Sequence, residues 1–127
     1  MSTQKTGTIG WVDLTVPDAE KIREFYQQVV GWKNEPLDMG GYNDHSMIPA
    51  DGSDPVAGIC HTRGVNTQLP PVWLIYITVD DLEASMAACQ ANNGTILIPP
   101  KGEKGSNRFC VIKDPAGAVA ALYEQAK

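Results

Sequence analysis

A chain of 127 residues that is 43% apolar and 20% charged has the size and composition of one globular domain, with too much apolar content for disorder. Ten basic against fifteen acidic side chains leave a net charge of −5, which opposes a phosphate backbone, and no apolar run approaches the length of a membrane span. Neither nucleic acid nor a membrane is an expected partner. The opening Met-Ser-Thr-Gln-Lys-Thr-Gly lacks the apolar stretch of a secretory signal, so the expected location is cytoplasmic. Cys60, Cys89 and Cys110 are odd in number and widely spaced, which argues for reduced thiols rather than a disulfide framework or a zinc knuckle.

In chain order, Gly10 to Val16 alternates, with Val12, Leu14 and Val16 on one face and Trp11, Asp13 and Thr15 on the other, as a strand does. Pro17-Asp18 then starts a helix whose Ile22, Phe25, Tyr26, Val29 and Val30 form one apolar stripe expected to face a sheet, and Gly31 stops it. Trp32 to Met39, Tyr42 to Ile48 and Pro55 to His61 read as strands, separated by Gly-Gly and by the Ala-Asp-Gly-Ser-Asp turn cluster. Thr62 to Pro71 is polar, ends in Pro-Pro and reads as a linker. Val72 to Val79 is a strand with Trp73, Ile75, Ile77 and Val79 on one side and Leu74, Tyr76 and Thr78 on the other. A helix follows, capped by Asp80 or Asp81, with a thin stripe of Leu82, Met86 and Cys89 and a stop at Asn92-Asn93-Gly94. Thr95 to Ile98, Arg108 to Lys113 and Ala118 to Glu124 complete the strands, the last two joined by Asp114-Pro115-Ala116-Gly117.

The chain also matches itself. Thr15-Val16-Pro17-Asp18-Ala19-Glu20 falls on Thr78-Val79-Asp80-Asp81-Leu82-Glu83 at a shift of 63, which also carries Gly31 onto Gly94 and Val56-Ala57-Gly58-Ile59 onto Val119-Ala120-Ala121-Leu122. Three blocks holding one shift in one order indicate duplication. The expectation is a single domain, 1–127, with module one at 7–61, a linker at 62–71 and module two at 72–125. One helix covers only one face of a four-stranded sheet, so the other faces are expected to line a shared cavity between the modules.

The run Gly10-Trp11-Val12-Asp13-Leu14-Thr15-Val16-Pro17-Asp18, with Phe25-Tyr26 and Gly31-Trp32, resembles the opening of the vicinal oxygen chelate superfamily, the glyoxalase/bleomycin resistance/dioxygenase proteins. Arg108-Phe109-Cys110-Val111-Ile112-Lys113-Asp114-Pro115-Ala116-Gly117 resembles the family's penultimate strand and Asp-Pro-x-Gly turn. With Pro55-Val56-Ala57-Gly58-Ile59 and Tyr76-Ile77-Thr78-Val79-Asp80-Asp81, the likeness spans nearly the whole chain. It implies an α+β fold of two tandem βαβββ modules forming a mixed, cupped β-sheet barrel with flanking helices, and a homodimer. Metal enzymes of the family take ligands from the first and last strand of each module. The corresponding positions are Trp11, Leu74, Gly58 and Ala121, none of which carries an imidazole, carboxylate or thiolate, so no metal and no cofactor are expected. Cys60 and His61, adjacent on one strand, should face opposite ways, and His45 and His61 read as surface or edge histidines.

The candidate ligand-binding set is Trp11, Asp13, Gly58, Cys60, Leu74, Tyr76, Arg108, Ala121 and Tyr123. Trp11, Tyr76 and Tyr123 suit a planar or amphipathic molecule, and Arg108 could reach an anionic group. Asp13 is the candidate acid/base, with Tyr76 as its partner, or it serves as a structural acceptor. Three functions follow: a protein that binds a small, largely apolar or aromatic molecule without a metal, a metal-independent isomerase, epimerase or lyase, or a protein-interaction module with a vestigial pocket. Asp13→Asn separates the first two, because only an enzyme loses turnover by orders of magnitude.

Overall fold

A computed structural model describes residues 4–126; residues 1–3 and Lys127, at the ends of the sequence read above, lie outside them. The chain forms two compact units, one spanning Val12–Trp73 and the other joining the segment that ends at Trp11 to the chain from Leu74 onward. The element order is β1 (Ile9–Val16), α1 (Ala19–Val30), β2 (Lys33–Asp38), β3 (Asn43–Ile48), β4 (Ala57–His61), β5 (Trp73–Val79), α2 (Leu82–Ala91), β6 (Thr95–Ile98), β7 (Arg108–Lys113) and β8 (Val119–Glu124). This is an α+β chain of two βαβββ modules, with strand ends within one or two residues of those read from periodicity. The segment between the modules is more ordered than a plain linker, since Gly64–Gln68 forms a 3-10 helix.

In the Val12–Trp73 unit the strand order is β2-β3-β4-β1, with β1 parallel to β4 and the other pairs antiparallel. The other unit repeats this as β6-β7-β8-β5, with β5 parallel to β8. The repeat extends to the register. Asp13 lies opposite Gly58 and Tyr76 opposite Ala121, and the next three pairs of each ladder keep the same displacement of 63. Across the hairpin the displacement grows by two: His45 opposes Ile59, whereas Cys110 opposes Leu122. The segment Ile98 to Arg108 therefore absorbs two residues more than its counterpart in module one.

Each unit buries the helix-facing side of its sheet. In one, Leu14, Val16, Ala19, Met47, Ala57 and Ile59 form the core, with Ile22, Tyr26, Trp32 and Trp73 packed on it. In the other, Leu82, Cys110 and Leu122 are buried, with Ile77, Val79, Met86 and Ile112 around them. Both helices start on an aspartate. Asp18 accepts from the Lys21 amide at 3.1 Å, and Asp81, not Asp80, accepts from the Ala84 amide at 3.1 Å. Gly31 ends α1 at φ 87°, the left-handed conformation that favours glycine. Gly94 is needed for a different reason, because a Cβ there would come within 2.5 Å of the Cys89 sulfur.

The apolar stripe of α1 is wider than the sheet beneath it. Ile22 and Tyr26 pack on the core, but Phe25 is 54%, Val29 63% and Val30 53% exposed. Their spacing matches a buried face; their burial does not.

Candidate functional site

Side chains alternate along a strand, so the residues between the core positions point away from the helix. In the Val12–Trp73 unit these are Asp13 and Thr15 on β1, Gly58 and Cys60 on β4, and Asp44 and Ser46 on β3. Asp13 faces Gly58 and Thr15 faces Cys60 across the parallel ladder, with Ser46 on the far side of Gly58. The face is polar and acidic. Burial pushes the Cys60 thiol well above its ordinary range, and the Asp13 and Asp44 carboxylates add to that push. A thiol so held is a neutral filler rather than a nucleophile. Asp44 also accepts from the His61 amide at 2.9 Å and lies 3.7 Å from the His61 ring nitrogen Nδ1. The Tyr42 ring stands edge-on to His61 at 5.4 Å and carries the Arg63 guanidinium over it at 4.1 Å. His61 is thus half-buried and packed.

The unit built from Leu74 onward presents a different face. Tyr76 opposes Ala121, Thr78 opposes Tyr123, and Phe109 and Val111 complete the row on β7. Leu74 is 2% exposed and Ala121 is fully buried, while Tyr76, Phe109 and Tyr123 are half-buried. The rings of Tyr76 and Phe109 meet edge to face, 5.3 Å apart at 69°. This side is largely aromatic, and the one charged residue that shares its parity on β7 is the exposed Lys113 at the strand's end. Trp11, half-buried at the edge of this unit, alternates with Val12 and so keeps the side of β1 that Asp13 continues.

Eight of the nine expected residues lie on these two faces. Arg108 does not. It shares the parity of Cys110, which is buried against α2, and so points to the helix side. There its Nε donates to Glu124 at 3.3 Å and its terminal nitrogen donates to Glu83. The charge expected to await an anionic ligand is already balanced by two carboxylates, and those carboxylates hold the guanidinium above its ordinary range. His45 also departs from expectation. It is 3% exposed, not at the surface, because its parity is that of the core residue Met47. With the Asn34 amide nitrogen donating to Nδ1 at 3.0 Å, its Nε2–H donates to Glu20 at 2.6 Å. Asp44 and Phe109 were missed, although each alternates with a core residue and the signal was present in that alternation.

The four positions where a divalent ion would be held carry an indole (Trp11), a hydrogen (Gly58), an isobutyl group (Leu74) and a methyl group (Ala121), so these residues do not fit a metal. Among the described residues one group of acidic side chains converges elsewhere, Asp81, Glu83 and Glu124, with oxygens within 4.8 Å of one another. Arg108 donates to Glu83 and Glu124, and the Leu82 and Ala84 amides at the start of α2 take oxygens of Glu124 and Asp81 at 2.9 and 3.1 Å. That cluster anchors a helix.

Comparison with known proteins fits this construction. The sequence profile of the Glyoxalase/Bleomycin resistance protein/Dioxygenase superfamily matches residues 8–122. CFP32 of Mycobacterium tuberculosis, which carries a glyoxylase name, is 30% identical over 97% of this chain and 48% of its own length. The anthracycline biosynthesis protein DnrV of Streptomyces peucetius is 26% identical over 94% of this chain and 47% of its own. The chain therefore spans about half the length of the curated relatives it matches. Among solved structures, a methylmalonyl-CoA epimerase of Mycobacterium tuberculosis superposes with a TM-score of 0.54 at 19% identity, covering 100% of this chain and 94% of that one.

Proposed function

The chain belongs to the glyoxalase/bleomycin resistance protein/dioxygenase superfamily, and from that premise we propose that it binds a small, largely apolar or aromatic molecule against the helix-free face of β5, β7 and β8, without a metal. One observation carries this reading: Tyr76, Phe109 and Tyr123 hold half-exposed rings around the small residue Ala121, where a metal enzyme of the family would place a ligand side chain. Rings in an edge-to-face pair offer the bound molecule a rigid apolar wall.

A second reading has support from Asp13. Its carboxylate is half-buried beside Gly58 and close enough to Cys60 to suppress that thiol's ionisation, a setting suited to acid/base work. On this reading the protein is a metal-independent isomerase, epimerase or lyase with Asp13 as general acid/base, and a methylmalonyl-CoA epimerase is among the proteins that share its fold.

Native mass spectrometry of the purified protein tests the first reading. An organic adduct, or saturable binding of an added neutral naphthalene probe, is expected, with affinity about tenfold weaker in Tyr76→Ala, on the order of 1.4 kcal/mol. A stoichiometric zinc, iron or manganese ion, or no saturable binding, overturns it.

A further inference from the structure

Past its aromatic rings, the unit built from Leu74 onward carries a polar hollow of about 330 Å³ lined by Gln4, Thr6, Thr78, Asp80 and Gln125. The sheet changes character there within one step along each strand. On β5 Tyr76 is followed by Thr78 and, past the strand end, by Asp80; on β8 Ala121 is followed by Tyr123 and then Gln125. Two residues along a strand span about 7 Å, and Thr78 stands opposite Tyr123 in the parallel ladder, so the hollow adjoins the rings. One wall is the strip before β1. Gly7 and Thr8 exchange backbone hydrogen bonds with Thr78 at 2.8 Å, and the Gln4 amide donates to the Gln125 side-chain oxygen at 2.9 Å. The buried Thr78 hydroxyl donates to the Gln4 side-chain oxygen at 2.7 Å. These bonds fix the polar groups before anything enters, which lowers the cost of binding. Among the described residues lining the hollow, Asp80 carries the one charge.

We propose that this hollow takes the protonated amine of an amphipathic ligand, with Asp80 as its counter-charge, while the ligand's apolar body lies on Tyr76 and Tyr123. The inference rests on the reading of the aromatic face as the binding surface. The chemistry of the lining selects the head group. A carboxylate has about four lone-pair sites, so Asp80 accepts from an ammonium while it also serves a protein neighbour. The exposed Thr6 hydroxyl offers the ammonium a second acceptor. An anionic head would meet that carboxylate with no lining cation among the described residues to offset it. An apolar head would strip water from hydroxyl and amide groups and give them no partner in return. The step of about 7 Å from ring to hollow selects a short flexible linker between body and head.

Fluorescence titration with ethylnaphthalene, naphthylethylammonium and naphthylacetate tests this. The ammonium probe is expected to bind about fivefold more tightly than ethylnaphthalene, and naphthylacetate no more tightly than ethylnaphthalene. A net charge of −5 attracts any cation weakly, so the deciding quantity is the ratio of the two affinities within each variant. That ratio should fall to about one in Asp80→Asn. Thr6→Lys, which puts a cation into the same hollow, should make naphthylacetate the tighter of the two charged probes. Both positions are exposed, so either variant serves if the other folds poorly. Equal affinities of the ammonium probe and ethylnaphthalene for the unmodified protein overturn the inference while the aromatic face stands as a binding surface. So does an ammonium preference kept in well-folded Asp80→Asn and Thr6→Lys. If none of the three probes binds, the aromatic face fails as a binding surface and the inference fails with it.

Discussion

Glu124 joins groups that no single stretch of sequence brings together: the Leu82 amide at the start of α2, the Arg108 guanidinium and, through it, Glu83. Glu124 is 3% exposed and Arg108 7%, so removing one partner leaves the other charged, buried and poorly paired. Glu124→Ala should therefore lower the unfolding free energy by about 3–5 kcal/mol in urea denaturation. Glu124→Gln, which keeps an acceptor for the Leu82 amide, should lose less. Equal losses in the two variants would mean that the neutral acceptor offered to the Leu82 amide contributes nothing beyond the charge. At this scale the sequence was legible where the repeat spoke twice, as for Gly58 with Ala121 and Trp11 with Leu74. It misled where one residue was judged by its chemistry alone. A lone cation on a strand invited a ligand, yet the parity that Arg108 shares with Cys110 already put it beside α2 and its acidic first turn.

The two helices show what periodicity can and cannot say about an element. It located both and both of their aspartate caps, since a side-chain oxygen must meet the free amides of a first turn. It did not give the width of the sheet, and so α1 reads as a helix with five covered residues although only Ile22 and Tyr26 of them pack on the core. The stripe of α2 is thinner, with Leu82 fully buried and Met86 and Cys89 only partly so. With less packing to hold it, α2 should depend more on its cap. Asp18→Ala is expected to cost about 1 kcal/mol and Asp81→Ala more than that, read as shifts in the denaturation midpoint at constant slope. The reverse order would show that the α2 packing, not the Asp81 cap, sets its stability. The 3-10 helix at Gly64–Gln68 had no foreshadowing, because a single turn leaves no periodic trace.

For the molecule as a whole, the duplication was legible because three blocks kept one displacement, and the ladders Asp13 with Gly58 and Tyr76 with Ala121 repeat it. The two extra residues before β7 were not, since they fall in polar segments without a pattern to compare. The two modules also tie their first helical turns to the sheet by corresponding glutamates: Glu20 meets His45 and Glu83 meets Arg108. The hydrogen bond from His45 holds Glu20 below its ordinary 4.5, and the Leu82 amide and then Arg108 do the same for Glu124. Carboxylates with depressed values in the folded state stabilise it fully above their unfolded values and lose that contribution as pH falls through the folded ones. The urea midpoint should hence be level above about pH 4.5 and fall below it, with buried Glu124 contributing more than the half-exposed Glu20. The acid limb should flatten in Glu20→Gln/Glu124→Gln; an unchanged limb would assign it to other groups. A last consequence lies in the strip before β1, where Gly7 and Thr8 bond Thr78 and the Gln4 amide bonds Gln125. During synthesis Val12–Trp73 can close on its own core as it leaves the ribosome, whereas residues 4–11 wait for partners made more than half a chain later. The strip made before β1 settles only after the unit that follows it in the chain.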